Sequence, residues 1–191
     1  MAFFHAYKFT HFSDVKPAKT EPPESLSFSG KIRTLFLGIN NPKPLNDLFP
    51  KREYETIALQ NDKSIEGWLI LAEDPRGTVI IFHGYGGQKS SVLDKAEAFL
   101  ELGLNAFVVD FRGCGNSEGT QTTIGFREAE DVRTSCEYIV SRGEKQIYLM
   151  GTSMGAVAIL KALSDYNLEP AGIILECPFG TMYQTVCARF K

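Results

Sequence analysis

From Tyr54 onward, apolar and polar positions fall into short blocks whose spacing predicts an alternation of strands and helices. Tyr54–Leu59 and Ile65–Ala72 are β-rich runs separated by the polar stretch Gln60-Asn61-Asp62-Lys63, the pattern of an antiparallel hairpin. Four short apolar runs follow: Thr78–Phe82, Ala106–Asp110, Ile147–Met150 and Gly172–Leu175. Three segments with helical periodicity lie among them. Val92, Leu93, Ala96, Phe99 and Leu100 share one face, with Ser90 or Ser91 as the expected N-cap and Gly103 as the stop. Ala129, Val132, Cys136, Ile139 and Val140 share a second face that ends at Gly143. Val157, Leu160 and Leu163 share a third. Such alternation predicts parallel strands joined by right-handed crossovers, with helices covering both faces of the sheet.

Residues 1–50 break this pattern. Prolines at 17, 22, 23, 42, 44 and 50, with polar spacers between them, predict an irregular arm containing at most one short helix. That arm lies along a domain occupying 51–191, and 191 residues suit a single domain with a sizeable core. A net charge of −3 and dispersed Lys/Arg give no basic footprint for nucleic acid. The apolar runs fall far short of the roughly 20 residues of a membrane helix, and the first residues lack a signal-peptide pattern. A cytoplasmic location is expected; the alternative is membrane association through an N-terminal anchor ahead of this sequence. Cys114, Cys136, Cys177 and Cys187 are scattered with no C-x-x-C pair and read as free thiols. His5 and His11 have no cysteine nearby and do not make a metal coordination shell.

The chemistry is concentrated at Gly151-Thr152-Ser153-Met154-Gly155, which follows an apolar run and opens a helix. In that context G-x-S-x-G is a nucleophile elbow. The sharp turn strains the serine backbone, and Gly151 and Gly155 let strand and helix approach closely beneath it. A second motif, His83-Gly84-Tyr85-Gly86-Gly87, directly follows the run Thr78–Phe82. Attack of Ser153 on an acyl carbonyl creates an oxyanion, which needs N–H donors placed in advance. The amide of Met154, at the positive end of a helix, is one expected donor and the amide of Tyr85 the other. Gly84, Gly86 and Gly87 let the loop fold tightly. His83 precedes those glycines on a strand end, so it is expected to hold the loop rather than serve as base. A nucleotide site is disfavoured: a P-loop needs glycine before its lysine, where Gln88 stands ahead of Lys89, and Gly113, Gly115 and Gly119 are one residue too long for G-x-G-x-x-G.

The ordered segments HGYGG, NAFVVDFRGCGNSEG, QIYLMGTSMGA and GIILECPF resemble the α/β-hydrolase superfamily from about Tyr54 to the C-terminus. The resemblance is strongest to its serine hydrolases, the monoacylglycerol-lipase-like and peptidase-like branch. It implies an α/β-hydrolase fold, a mostly parallel sheet with helices on both faces. It also implies Ser153 as nucleophile, Tyr85 and Met154 as oxyanion-hole amides, a small-molecule acyl substrate, and no metal or organic cofactor. Asp110 and Arg112 match residues that tie down the loop after the fourth strand. Family members continue through two further strands carrying a catalytic Asp and then a His, whereas His5, His11 and His83 all precede Ser153. The expectation is therefore a fold truncated after the sixth strand. Its parent would hydrolyse an ester, thioester or amide bond, and the 191-residue chain alone would be inactive. Glu176, where some lipases place their acid, is expected to cap a loop instead. The alternative is a catalytically inactive hydrolase-like binding module, because a serine without its base is a weak nucleophile.

Overall fold

The computed structural model describes residues 2–14, 20–22 and 24–189. The expected hairpin forms β1 (Tyr54–Gln60) and β2 (Ser64–Ile70), paired antiparallel with Tyr54 opposite Ile70. The four apolar runs become β3 (Thr78–Phe82), β4 (Asn105–Asp110), β5 (Ile147–Thr152) and β6 (Gly172–Glu176). They form one six-stranded sheet in the order β1-β2-β4-β3-β5-β6. From β4 to β6 the neighbours are parallel, whereas β2 meets β4 antiparallel and sets Glu66 opposite Asp110.

Every residue of β3 is buried, as a central parallel strand covered on both faces requires. The pleat sends Ile80 and Phe82 to one face and Val79 and Ile81 to the other. On the first face α4 (Glu128–Ser141) and α5 (Met154–Asp165) contribute Val132, Ile139, Ala158 and Ile159 to the core. On the second, α3 (Leu93–Glu101) contributes Ala96 and Leu100. The sheet is thus mostly parallel with helices on both faces.

Two expectations are corrected. Ser90 and Ser91 do not cap α3; they lie within a 3-10 turn, Lys89–Val92, and Val92 takes the cap position. Their polar atoms are spent elsewhere. Ser90 Oγ donates to Asp47 Oδ1 (3.1 Å), and Ser91 Oγ donates to Gln88 O (2.6 Å). The arm, moreover, is not irregular throughout, because it carries two helices, α1 (Ala2–Thr10) and α2 (Phe28–Leu37). Ser27 caps α2, accepting from the Gly30 amide at 3.2 Å. All the arm's prolines stand outside these two helices, so their number says little about what lies between them. The arm rejoins the domain at Phe12, a buried residue whose amide donates to Thr120 O (2.7 Å). After β6 the chain forms α6 (Met182–Arg189).

Candidate active site

β5 delivers the chain into Ser153, which adopts φ 52° and ψ −108°, a region that non-glycine residues rarely occupy. The backbone on either side of it is packed closely. A Cβ placed on Gly155 would stand 2.5 Å from Phe82 O and 2.8 Å from His83 O. One on Gly151 would stand 2.5 Å from Gly155 C. Both glycines are therefore demanded by contact between β5, α5 and the end of β3. The Ser153 amide donates to Glu176 O (2.8 Å), and its carbonyl accepts from the Val157 amide (3.1 Å). Its side chain is half-buried, and its hydroxyl has no hydrogen-bond partner among the described residues.

The loop after β3 closes over this turn. The Cβ position of Gly84 lies 3.4 Å from Thr152 O and 3.7 Å from Ser153 Cβ, which brings the His83–Gly87 loop against the serine. The Gly87 amide donates to Gly84 O (3.1 Å), and Gly86 takes φ 68°. His83 is fully buried. Its Nε2 accepts from the Phe111 amide (3.2 Å), which leaves Nδ1 protonated and donating to Gly84 O (2.8 Å). Burial pushes its pKa below the usual imidazole range and keeps it neutral. Both ring nitrogens are committed to holding the loop. Tyr85 follows Gly84, and neither its amide nor that of Met154 has a hydrogen-bond partner among the described residues. The Tyr85 side chain turns toward the arm. Its ring stacks on Phe9 at 4.4 Å between centroids, its hydroxyl donates to Phe9 O (2.6 Å), and burial pushes its pKa up to about 12. A cavity of about 430 Å³ lies beside this loop, between Phe12, Pro42, Tyr85 and Gly86.

Three polar clusters brace these loops; the resemblance points to Asp110 and Arg112 in two of them, while Lys89 and Glu128 come forward only in the structure. Asp110, at the end of β4, accepts from the Lys89 amide (2.6 Å), Lys89 Nζ (2.5 Å), Asn46 Nδ2 (2.8 Å) and the Asn116 amide (3.1 Å). Lys89 is fully buried, pairs also with Glu66 at 2.8 Å, and lies over the Trp68 ring at 4.4 Å. An ammonium so engaged is not free to hold a phosphate. In the second cluster, buried Glu128 accepts from Thr122 Oγ1, Thr123 Oγ1 and the amides of Thr123 and Gly125, closing the loop before α4. Its position in the first turn of a helix is the one sequence signal for it. The third is Arg112, which grips Asp131 at 2.8 Å and reaches Asp62 and Glu130. Glu176 accepts from Lys95 and from Thr152 Oγ1 (2.8 Å), and these bonds hold its carboxyl below the usual range.

A family model described as serine aminopeptidase, S33, matches residues 73–190, more than half of the chain. Two curated relatives are similar at 29% identity. One is the uncharacterized protein YqkD of Bacillus subtilis, aligned over 66% of this chain and 43% of its own length. The other is the protein bem46 of Schizosaccharomyces pombe, aligned over 80% of this chain and 52% of its own. The chain thus spans about half the length of the curated relatives it matches. Among solved structures, the esterase Pf2001 of Pyrococcus furiosus superposes with a TM-score of 0.70 at 26% identity, covering 80% of this chain and 63% of the esterase. The matched region holds β3 to β6, the loop after β3 and the strained serine turn, and by that match the chain belongs to the serine aminopeptidase S33 family of α/β-hydrolases.

Proposed function

We propose that this chain carries the nucleophile and the oxyanion site of a hydrolase that cleaves ester, thioester or amide bonds through a Ser153 acyl-enzyme. The observation that carries this reading is Ser153 itself, at φ 52° between β5 and α5 with the Gly84 backbone against it. In the reaction Ser153 Oγ attacks the acyl carbon, and the carbonyl oxygen takes up the negative charge. The amides of Met154 and Tyr85 receive that oxygen, the former reinforced by the N-terminal dipole of α5. Collapse of the adduct breaks the bond to the leaving group, which takes up the proton lost by Ser153 and departs as alcohol, thiol or amine; water then attacks the acyl-enzyme, releasing the acid and restoring the serine hydroxyl. The serine proton requires an imidazole. His83 has none to offer, since both its nitrogens are engaged, and His5 and His11 on and after α1 bond to Leu35 O and Tyr7 O. The base and its carboxylate therefore belong, in this reading, to residues other than these.

A fluorophosphonate probe tests the reading. A longer protein containing this chain should be labelled at Ser153, and Ser153→Ala should abolish the label. The 191-residue chain should turn over p-nitrophenyl acetate barely above background. Rapid turnover by the chain alone, lost in Ser153→Ala, would place the base within it. A folded longer protein that takes no label would favour a binding module over an enzyme.

A further inference from the structure

The two arm helices carry a surface that the rest of the fold does not use. No described side chain of α1 or α2 is buried. On α2, Phe28, Ile32, Leu35 and Phe36 follow the i, i+4, i+7, i+8 spacing and share one face. Phe28 is 81% exposed and Phe36 52%. Phe3, Phe4 and Tyr7 extend the exposed apolar surface on α1, with Phe3 edge-on to Phe4 and stacked with Tyr7. The two helices are joined where the His5 ring bonds to Leu35 O (2.8 Å). A helix of ten residues draws its stability mainly from packing of its apolar face, so a face this apolar and this exposed needs a surface to lie against.

Charge identifies that surface. In a chain of net charge −3, α1 and α2 contain no Asp or Glu and carry Lys8, Lys31 and Arg33. None of the three forms an ion pair among the described residues. By helical spacing Lys31 borders the apolar face of α2 on one side and Arg33 on the other. Among the described residues no helix is long and apolar enough to cross a membrane. Short helices with an aromatic and aliphatic face edged by cations lie in the plane of a bilayer interface, and the cations favour anionic headgroups. We propose that α1 and α2 dock on an anionic phospholipid bilayer, with Phe28, Ile32 and Phe36 among the upper acyl chains and Lys31 and Arg33 at the phosphates. The surface does not depend on the chemistry of Ser153. Because Phe9 of α1 stacks on Tyr85, docking also places the loop over the serine near the bilayer.

Cosedimentation of the 191-residue chain with phosphatidylcholine vesicles, with and without phosphatidylserine, tests this. The chain should bind the phosphatidylserine vesicles, and added salt should weaken that binding. Neutralising each cation in Lys31→Gln and Arg33→Gln should weaken it about fivefold. Phe28→Ser, Ile32→Ser and Phe36→Ser combined should weaken it by about tenfold or more. All five side chains are exposed, and circular dichroism checks that the fold survives the changes. Three results would overturn the proposal: no binding to anionic vesicles, undiminished binding by the triple variant, or self-association in light scattering that the triple variant abolishes while vesicles are ignored.

Discussion

The serine elbow and the N-terminal arm reach the same loop from opposite sides and are held by opposite means. At the elbow there are almost no side chains. Gly151, Gly155 and Gly84 bring backbone against backbone, and the positions of Phe82 O and His83 O fill the space that a methyl group would need. In the arm, side chains make the attachment. Phe9 and Phe12 pack on the Tyr85 ring, Asn41 donates to its hydroxyl (3.2 Å), and Asn46 reaches the Asp110 carboxylate. The elbow is fixed by volume and tolerates no added atom. The arm is fixed by hydrogen bonds and ring contacts, which are individually modest. Tyr85 is linked to both, since it follows Gly84, whose backbone lies against the elbow, while its ring and hydroxyl belong to the arm. The proposed oxyanion donor is therefore positioned by a rigid partner and by a replaceable one.

Removing the polar anchor that joins these regions should have the largest effect. Asp110→Ala leaves the Lys89 ammonium buried with Glu66 alone and should cost about 3–5 kcal/mol of unfolding free energy in urea titrations. The same anchor limits stability in acid. Burial alone would raise the Asp110 carboxyl, but Lys89 and its hydrogen bonds outweigh burial and hold it below the ordinary range. Its contribution is complete above about pH 4 and is lost as pH falls through the lowered folded value. An Asp110→Asn variant should lose that part of the acid slope; an unchanged slope would mean that the anchor contributes little.

Gly155→Val tests the elbow by volume alone. With carbonyl oxygens 2.5 and 2.8 Å from the new Cβ, the cost should reach the upper end of the roughly 1–3 kcal/mol of overpacked cores. A stability within experimental error of the original would erase the contrast between the two regions. Tyr85→Phe should be the mildest change, about 1 kcal/mol for the lost bond to Phe9 O. It should speed proteolysis of the arm while moving the denaturation midpoint of the domain little. A large global loss would show that the arm is as integral to the fold as the elbow.

These contrasts follow what the chain displays openly and what it hides. β3 begins and ends at the residues its apolar run predicts, and β4, β5 and β6 are displaced by no more than two residues at either end. Continuous apolar runs mark buried parallel strands in β3 and β4, where both faces are covered, whereas β6 lies at the end of the sheet with Ile173 and Ile174 exposed. The serine turn was legible as a motif, an apolar run, G-x-S-x-G and a helix in succession, although the atoms that forbid a side chain at Gly155 are Phe82 O and His83 O, more than 70 residues earlier. The arm helices were not legible, because prolines dominate the composition while Phe3 to Thr10 and Phe28 to Leu37 contain none. Lys89 stands out in the sequence only as a lysine near a glycine-rich loop, and nothing in its neighbours Gln88 and Ser90 marks it as an anchor. Its partners Glu66 and Asp110 are more than 20 residues away and meet only through the antiparallel register of β2 with β4.

The order of strands and helices and the place of the serine between two glycines were determined by local residue spacing, since periodicity and motif extend over a few positions, whereas the neutral state of His83 came from its burial and its bond to the Phe111 amide. Which carboxylate meets which cation, where the arm attaches and what Tyr85 does with its ring were decided only in three dimensions. Those features depend on sheet order and on the burial of charge, and a buried ion pair is stable only once distant segments have brought both partners together out of water.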